Sequence, residues 1–226
     1  MSELLCTAIA IMGPPGAGKT THTRSLAEFP GTILLRGRDI KPDSVEVYEP
    51  ARLLIPDEEF VPALKSRLGD LSIYGKCVIL DNIPRTPEQA DTLLDWLNTH
   101  GSRLAVIELD INEYEVWDRL VNRRYCESCG QAYHPKVNPT RSPGICDKDA
   151  AQLVKRVGDR EELVGGSYKR YLGVLREVVP VLENGGAMVR RIDASGTLED
   201  TWHILTEQVL VPFFPELIQP RQYASI

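Results

Sequence analysis

The chain has 226 residues, of which 42% are hydrophobic and 26% charged, so its composition is that of a globular protein rather than of a disordered or membrane-spanning one. Its net charge of −6 argues against general nucleic-acid binding, because a phosphate-backbone partner favours a basic surface. The apolar run 4–12 is too short to span a membrane and lacks the flanks of a signal peptide. We therefore expect a cytoplasmic protein with no membrane partner, and its five cysteines are compatible with a reducing compartment.

Short apolar runs alternate with longer segments of helical periodicity along most of the chain. This alternation predicts an α/β fold in which a five-stranded parallel sheet is covered by helices on both faces. The predicted strands are 7–12, 32–35, 77–81, 104–109 and 188–193. The predicted helices are 18–28, 57–68, 87–99, 113–124, 161–183 and 198–209.

The periodicity stops at 125–158, where Cys, Gly, Pro, Asn and Asp take over. A loop of this length inside a compact domain is usually functional, and a bound metal could replace the missing apolar core. We therefore predict a core in two parts, 1–124 and 159–226, with an inserted metal-bearing segment between them. The tail 211–226 is expected to pack irregularly or to fray, and we assign it no function.

The segment GPPGAGKTT at 13–21 fits the phosphate-binding pattern GxxxxGK[ST], between a predicted strand and a predicted helix. Glycines let the loop curl so that its N–H groups converge on a phosphate at the amino end of the helix. The alternative is a Gly-rich turn that only joins strand to helix. The motif predicts a nucleoside triphosphate site with Mg²⁺, bound by Gly13, Gly16, Ala17, Gly18, Lys19, Thr20 and Thr21.

A second anion site is predicted in ILDNIPRTPEQAD at 79–91. Asp81 ends a buried strand and could orient magnesium and its waters. Arg85 could bind a second phosphate, and Gln89, four residues later, a base edge. A local ion pair between Asp81 and Arg85 is the alternative.

Cysteines and an aspartate form two knuckles in the inserted segment. Cys126 and Cys129 make a CxxC, and Cys146 and Asp149 make a CxxD after it. This spacing is typical of a structural tetrahedral zinc site. The alternatives are three free thiols, or His134 as a rival ligand.

Arginines flank this segment: Arg119, Arg123 and Arg124 before it, and Arg156 after it. Phosphoryl transfer develops charge on phosphate oxygens, so guanidinium groups brought in by a closing flap would stabilise it. Placed four residues apart on one helix, Arg119 and Arg123 would share a face. A solvated basic helix end is the alternative.

The chain resembles the adenylate kinase family over about residues 7–210. The resemblance rests on GPPGAGKTT, on DNIPRT with Gln89, on IPDEE with Asp57, and on DRLVNRRYCESCGQAYH followed by NPTRSPGICDKD, which is similar to the zinc-bearing lid of bacterial members. It implies a P-loop NTPase fold with a lid at 125–158, and a monomer that phosphorylates a nucleoside monophosphate with Mg²⁺ and ATP, most simply ATP + AMP = 2 ADP.

Roles for individual residues also follow from the resemblance. Asp57 would help Thr20 and Asp81 to position magnesium. Arg119 would lie on the adenine of ATP, with Tyr133 and His134 near its base or ribose. Catalysis would use Lys19, Arg85, Arg123 and Arg156, and acceptor binding would use Arg36, Lys41, Arg85, Gln89 and Arg156.

The chain departs from the family pattern on the acceptor side. RGRDIK at 36–41 replaces TGDxxR, with Arg36 at the threonine and Lys41 at the arginine. Only a short stretch precedes Asp57, so the acceptor-binding helices are reduced to a loop at about 36–56. Ser167 stands where a second arginine after the lid is expected, with Lys169 and Arg170 as substitutes, and Gly165 and Gly166 should weaken that helix. A P-loop kinase for a different phosphate-bearing acceptor, or a weakly active nucleotide-binding regulatory protein, are the alternatives.

Overall fold

The computed structural model describes residues 7–40, 42, 55–71 and 76–217. The strands are β1 Thr7–Met12, β2 Thr32–Arg36, β3 Cys77–Asp81, β4 Arg103–Asp110, β5 Arg124–Tyr125, β6 Ala132–Tyr133 and β7 Met188–Asp193. The longer helices are α1 Lys19–Leu26, α2 Asp57–Gly69, α3 Pro87–Thr99, α4 Glu113–Asn122, α5 Glu161–Asn184 and α6 Leu198–Leu205. Lys41 and most of the shortened acceptor segment lie outside the described residues.

Five strands form one sheet in the order β2–β3–β1–β4–β7, and every neighbouring pair is parallel. The predicted fold class is therefore confirmed. Strand β1 lies at the centre, so the loop that follows it opens beside the carboxyl ends of β3 and β4. In open α/β sheets, ligands bind at this edge.

Alternation along the central strands builds a core on each face of the sheet. Ala8 and Ala10 pack with α2, α3 and α5, whereas Ile9 and Ile11 pack with α1, α4 and α6. Successive side chains of a strand point to opposite faces of the sheet. The alanines of β1 therefore lie on one face and its isoleucines on the other. A parallel sheet buried on both faces explains why β1 and β3 are continuously apolar.

Side-chain caps fix where two of the helices begin. Thr86 accepts a hydrogen bond from the backbone N–H of Gln89, and Pro87 occupies the first turn of α3. Thr197 and Asp200 form a reciprocal capping box at the start of α6. The cap at Thr86 orients the segment that follows β3, which carries Arg85.

Several predicted boundaries need correction. Helix α4 ends at Asn122, and Arg123 has an extended backbone (φ −62°, ψ 139°), so Arg119 and Arg123 do not share a helical face. The chain turns there because it enters the two-stranded β5–β6 ribbon. Helix α6 ends at Leu205, and residues 206–210 continue as a π-helical turn.

The second half of the core agrees with two expectations. Helix α5 matches the predicted helix 161–183 and stays helical over 24 residues through Gly165 and Gly166, where it packs against α3 and α4. Of the two behaviours expected for the tail, its start packs rather than frays, because Phe214 and Leu217 are buried in the core of the α1 and α6 face. Residues 218–226 lie outside the described part of the chain.

Candidate functional site: a phosphate cleft beneath a cysteine-rich lid

The phosphate loop joins β1 to α1 and needs glycine at its turns. Gly16 and Gly18 have φ of +87° and +90°, a left-handed conformation that disfavours side chains. The ammonium of Lys19 curls back over the loop and donates to the carbonyls of Gly13 at 2.7 Å and Pro14 at 2.9 Å. Ala17 is buried, and Thr20 and Thr21 lie in the first turn of α1. The loop thus has the closed shape that a phosphate cradle requires.

Three of the predicted catalytic residues, Lys19, Arg85 and Arg123, influence one another through their charges. Burial lowers the pKa of Lys19 to about 7, Asp81 opposes this shift, and Arg85 and Arg123 add to it. Arg85 and Arg123 are therefore close enough to Lys19 for their charges to interact. Such a concentration of positive charge in an acidic protein favours a polyanionic ligand, whose binding would restore the protonated lysine.

Two of the three predicted magnesium residues lie together. The hydroxyl of Thr20 donates to Oδ1 of Asp81 at 3.4 Å, because Asp81 ends β3 directly beside β1. A hydroxyl and a carboxylate are ligands that Mg²⁺ prefers, so this pair fits the ion and its waters. Asp57 begins α2 and instead accepts a hydrogen bond from the amide of Gln89 at 2.9 Å.

The turn after β3 carries the predicted acceptor residues. Oε1 of the buried Gln89 accepts from the backbone N–H of Arg85 at 2.9 Å, so both ends of its amide are engaged within the protein. Arg36, at the end of β2, forms an ion pair with Asp39 at 2.5 Å. Gly37 packs tightly on this turn: a Cβ there would lie 2.9 Å from Ile83 Cγ2. The β2 end and the β3 turn therefore form one wall.

A cavity of about 160 Å³ opens between the phosphate loop, the turn after β3 and helix α5. Lys19 and Arg85 both line it. Its third wall comes from the α5 face that carries Ser167, Arg170 and Tyr171. The cavity thus joins the two predicted anion sites into one cleft.

Arg119 is buried behind the phosphate loop. Its Nη2 donates to the carbonyls of Ala194, Ser195 and Gly196 at 2.7–2.9 Å, and its Nη1 to that of Gly16 at 3.4 Å. One guanidinium therefore ties the loop to the segment after β7. Its predicted contact with adenine stays a prediction.

The arginines at the two ends of the lid are held by protein partners. Arg123 pairs through both Nε and Nη2 with the carboxylate of Asp159, which is 2% exposed. The guanidinium of Arg156 lies 3.6 Å from the ring centroid of Tyr125. Burial, and then the charge of Arg123, lower the pKa of Arg156 from its ordinary value. Arg123 and Arg156 are thus neighbours at the base of the lid.

The four predicted metal ligands converge in the lid. The ligand atoms of Cys126, Cys129, Cys146 and Asp149 all lie within 4.8 Å of one another. The sulfurs of Cys129 and Cys146 are 3.5 Å apart, close to the roughly 3.8 Å expected for two thiolates on one tetrahedral zinc ion. Three thiolates and a carboxylate suit zinc, so the donor set fits the ion.

Tyr133 and His134, predicted to contact ATP, have their polar atoms turned to other partners. The hydroxyl of Tyr133 lies 3.4 Å from Cys146 Sγ and accepts from the backbone N–H of Asp147 at 3.0 Å. His134 accepts at Nδ1 from the N–H groups of Lys136 and Val137, and its Nε2 lies 3.3 Å from the carbonyl oxygen of Asp118. His134 is therefore outside the ligand cluster, and the ATP contacts of both residues stay predictions.

Sequence reasoning missed two residues of this region. Asp159 gives no periodic signal, and only its position three residues after Arg156 could have marked it as a partner for an arginine. His22 follows the phosphate motif in α1, is 1% exposed, and stacks on Trp202 with ring centroids 6.0 Å apart. Its Nε2 finds no hydrogen-bond partner among the described residues.

The amino-acid sequence of this chain is similar to those of known proteins. Residues 123–157 match the family model described as the active site lid of adenylate kinase. Over 205 residues, 86% of this chain and 90% of the relative, the chain is 37% identical to an adenylate kinase of Thermococcus gammatolerans and 35% to that of Thermococcus kodakarensis. It is 32% identical to an adenylate kinase of Moorella thermoacetica over 75% of this chain and 89% of the relative.

In residues 7–40, 55–71 and 76–217, no helix has the length and apolar character needed to cross a bilayer.

Proposed function

This chain belongs to the adenylate kinase family, and we propose that it transfers the terminal phosphate of ATP to AMP, giving two molecules of ADP. It is a phosphotransferase of the nucleoside monophosphate kinase class. The observation that carries the proposed reaction is that Lys19 and Arg85 line the same cleft. Two phosphate-binding cations that face one cavity suit a donor and an acceptor phosphate that must meet.

The donor side would hold ATP on the phosphate loop. Backbone N–H groups of residues 13–18 and the ammonium of Lys19 would bind its β and γ phosphates. Magnesium, when bound with ATP, would be held by Thr20 and Asp81 and would neutralise charge on those phosphates. Asp57, which is bonded to Gln89, would help to position this magnesium ion. The nucleoside of ATP would be held by Arg119, Tyr133 and His134.

The acceptor side would hold AMP on Arg85, with Gln89, Arg36, Lys41 and Arg156 around it. The acceptor phosphate is already anionic, so the transfer needs no general base. As the lid closes, Arg123 and Arg156 would move toward the phosphoryl group. Arg123 would either break its ion pair with Asp159 or move together with it, and the same holds for Arg156 and Tyr125. The domain division proposed for this motion is a core of 1–124 and 159–226 and a lid of 125–158.

We propose that one zinc ion binds Cys126, Cys129, Cys146 and Asp149 and so cross-links the lid. The distances between these donor atoms are compatible with tetrahedral coordination of zinc. Metal analysis of the purified protein should give one zinc per chain, and Cys129→Ser should lose it. Cys77→Ala, in the core and outside the cluster, is the matched control and should keep the metal. Absence of stoichiometric zinc from the wild-type protein would refute the assignment.

A coupled assay of ADP formation tests the reaction itself. With Mg–ATP and, in turn, AMP, dAMP, GMP, CMP and UMP, AMP should give the highest kcat/KM. Lys19→Met should reduce kcat by at least about a hundredfold, since it removes a charge at the transferred group. Lys155→Met, an exposed lysine in the lid, should leave kcat unchanged. Transfer to no monophosphate would overturn the proposal, and ATP binding without turnover would favour a regulatory protein.

Two further predictions accompany this function. The family resemblance implies a monomer, which sedimentation can test. A cytoplasmic location also stays a prediction.

A further inference from the structure

One face of helix α5 forms the third wall of the cleft. Ser167, Arg170, Tyr171 and Val174 all line it, at the i, i+3, i+4 and i+7 spacing of a single helical face. Arg170 is the cation on this face. It therefore lines the same cavity as Lys19 and Arg85, from a third direction.

Ser167 fixes the guanidinium of Arg170. Nη2 of Arg170 donates to Oγ of Ser167 at 3.0 Å, and that hydroxyl donates in turn to the carbonyl of Leu163 at 3.1 Å. The hydroxyl of Ser167 thus accepts a hydrogen bond from the arginine and donates one to the helix backbone. This bond uses one of the five N–H groups of the guanidinium, so the arginine keeps further donors that a ligand can use.

The guanidinium of Arg170 lies over the preceding turn of α5. A Cβ at Gly166 would lie 3.4 Å from Nη1 of Arg170, which is an ordinary contact distance, and nothing lies within 4 Å of the notional Cβ of Gly165. Neither glycine position therefore hinders this placement of the arginine.

The structure distinguishes Arg170 from its neighbour Lys169. Both are exposed basic residues of α5, but Lys169 does not line the cavity. On a helix, adjacent residues point about 100° apart, so the two side chains leave α5 in different directions. Arg170 thus lies on the same helical face as position 167, where the resemblance leads us to expect an arginine, and one turn later.

We propose that Arg170, positioned by Ser167, binds the phosphoryl group while it moves between the two substrates. This inference rests on the proposed function. In the transfer, an oxygen of the acceptor phosphate forms a bond to the γ phosphorus of ATP. The bond from that phosphorus to the bridging oxygen breaks, and ADP leaves with the electron pair. Arg170 donates hydrogen bonds to the equatorial oxygens, where negative charge is concentrated.

Steady-state kinetics of Arg170→Ala test the proposal. We expect kcat to fall roughly tenfold to a hundredfold, the effect of losing a hydrogen bond between charged groups, with both KM values changed less than about threefold. Arg170→Lys should recover part of the loss. Ser167→Ala should lower kcat by a smaller factor, and have almost no effect when Arg170 is already alanine. Lys169→Ala and Arg176→Ala, exposed changes on the same helix, should match the wild type.

Several results would overturn the role of Arg170. These are an unchanged kcat in Arg170→Ala, a rise in KM alone, or an equal loss in Lys169→Ala. Thermal unfolding of each variant should stay within a few degrees of wild type, because Arg170 is exposed.

A wild-type protein that phosphorylates no monophosphate would sink the proposed reaction, but it would leave Arg170 testable. In that case, calorimetric binding of pyrophosphate should be weakened at least about fivefold by Arg170→Ala. Equal affinity would refute Arg170 as a phosphate ligand.

Discussion

Acid should destabilise this protein through His22, which lies behind the phosphate loop. The imidazole is 1% exposed and stacked on Trp202, and its Nε2 lies 3.2 Å from the position that a Cβ on Gly18 would occupy. Burial, and then the nearby charge of Arg119, lower the pKa of His22 from 6.5 to about 4. The folded protein therefore holds this histidine neutral at pH values where the unfolded chain protonates it.

The sign and size of the effect follow from linkage. Between pH 6.5 and about 4 the unfolded state binds more protons, so the free energy of unfolding falls as the pH falls. The full difference corresponds to about 3 kcal/mol, and the part lost between pH 7 and pH 5 is about 2 kcal/mol. For a chain of this size, that loss lowers the Tm by roughly 4–8 °C.

Denaturant unfolding at pH 7, 6 and 5, followed by tryptophan fluorescence, measures this slope. Other groups also bind protons as the pH falls, so the informative quantity is the difference between the wild type and His22→Leu. The variant should lose about 2 kcal/mol less than the wild type between pH 7 and pH 5. His203→Gln, at an exposed position on α6, is the control and should keep the wild-type slope. Parallel curves for the wild type and His22→Leu would refute the reasoning.

Two other substitutions test the loop and the lid. Gly18→Ala should cost about 1–2 kcal/mol and weaken ATP binding, because φ is +90° there and the new Cβ would lie 2.9 Å from Leu198 Cδ2. Gly69→Ala, in open space at the end of α2, should not destabilise, and equal Tm values for both variants would contradict the strain argument. Tyr133→Phe should weaken zinc binding about tenfold in a competition with a chromophoric chelator, because it removes the hydroxyl beside Cys146. Tyr114→Phe, at a 73% exposed position, should leave the zinc affinity unchanged, and loss in both variants would exclude a specific role for Tyr133.

The sheet and the phosphate loop could be predicted because their signals are local. Each apolar run of β1 or β3 is long enough for one buried strand, and the glycines of 13–18 specify a backbone that few other residues allow. The convergence of Cys126, Cys129, Cys146 and Asp149 was predictable for the same reason, since a CxxC and a CxxD each hold two side chains within a few residues. These parts depend little on the rest of the fold.

Features that depend on long-range partners could not be read in the same way. The end of α4 at Asn122 follows from a turn into the lid, and the pairing of Arg123 with Asp159 joins residues 36 positions apart. The position of Arg170 in the cleft also required the observed orientation of α5.

The ion pair of Arg123 with Asp159 has a consequence for the length of the lid. It joins the residue where the chain enters the lid to the residue where it leaves, and the bridge between Tyr125 and Val154 lies just inside. An excursion whose two ends already meet is topologically a side loop, which adds little closure entropy to the core whatever its length. A longer or a shorter segment joined at the same two points would therefore change the closure entropy of the core very little.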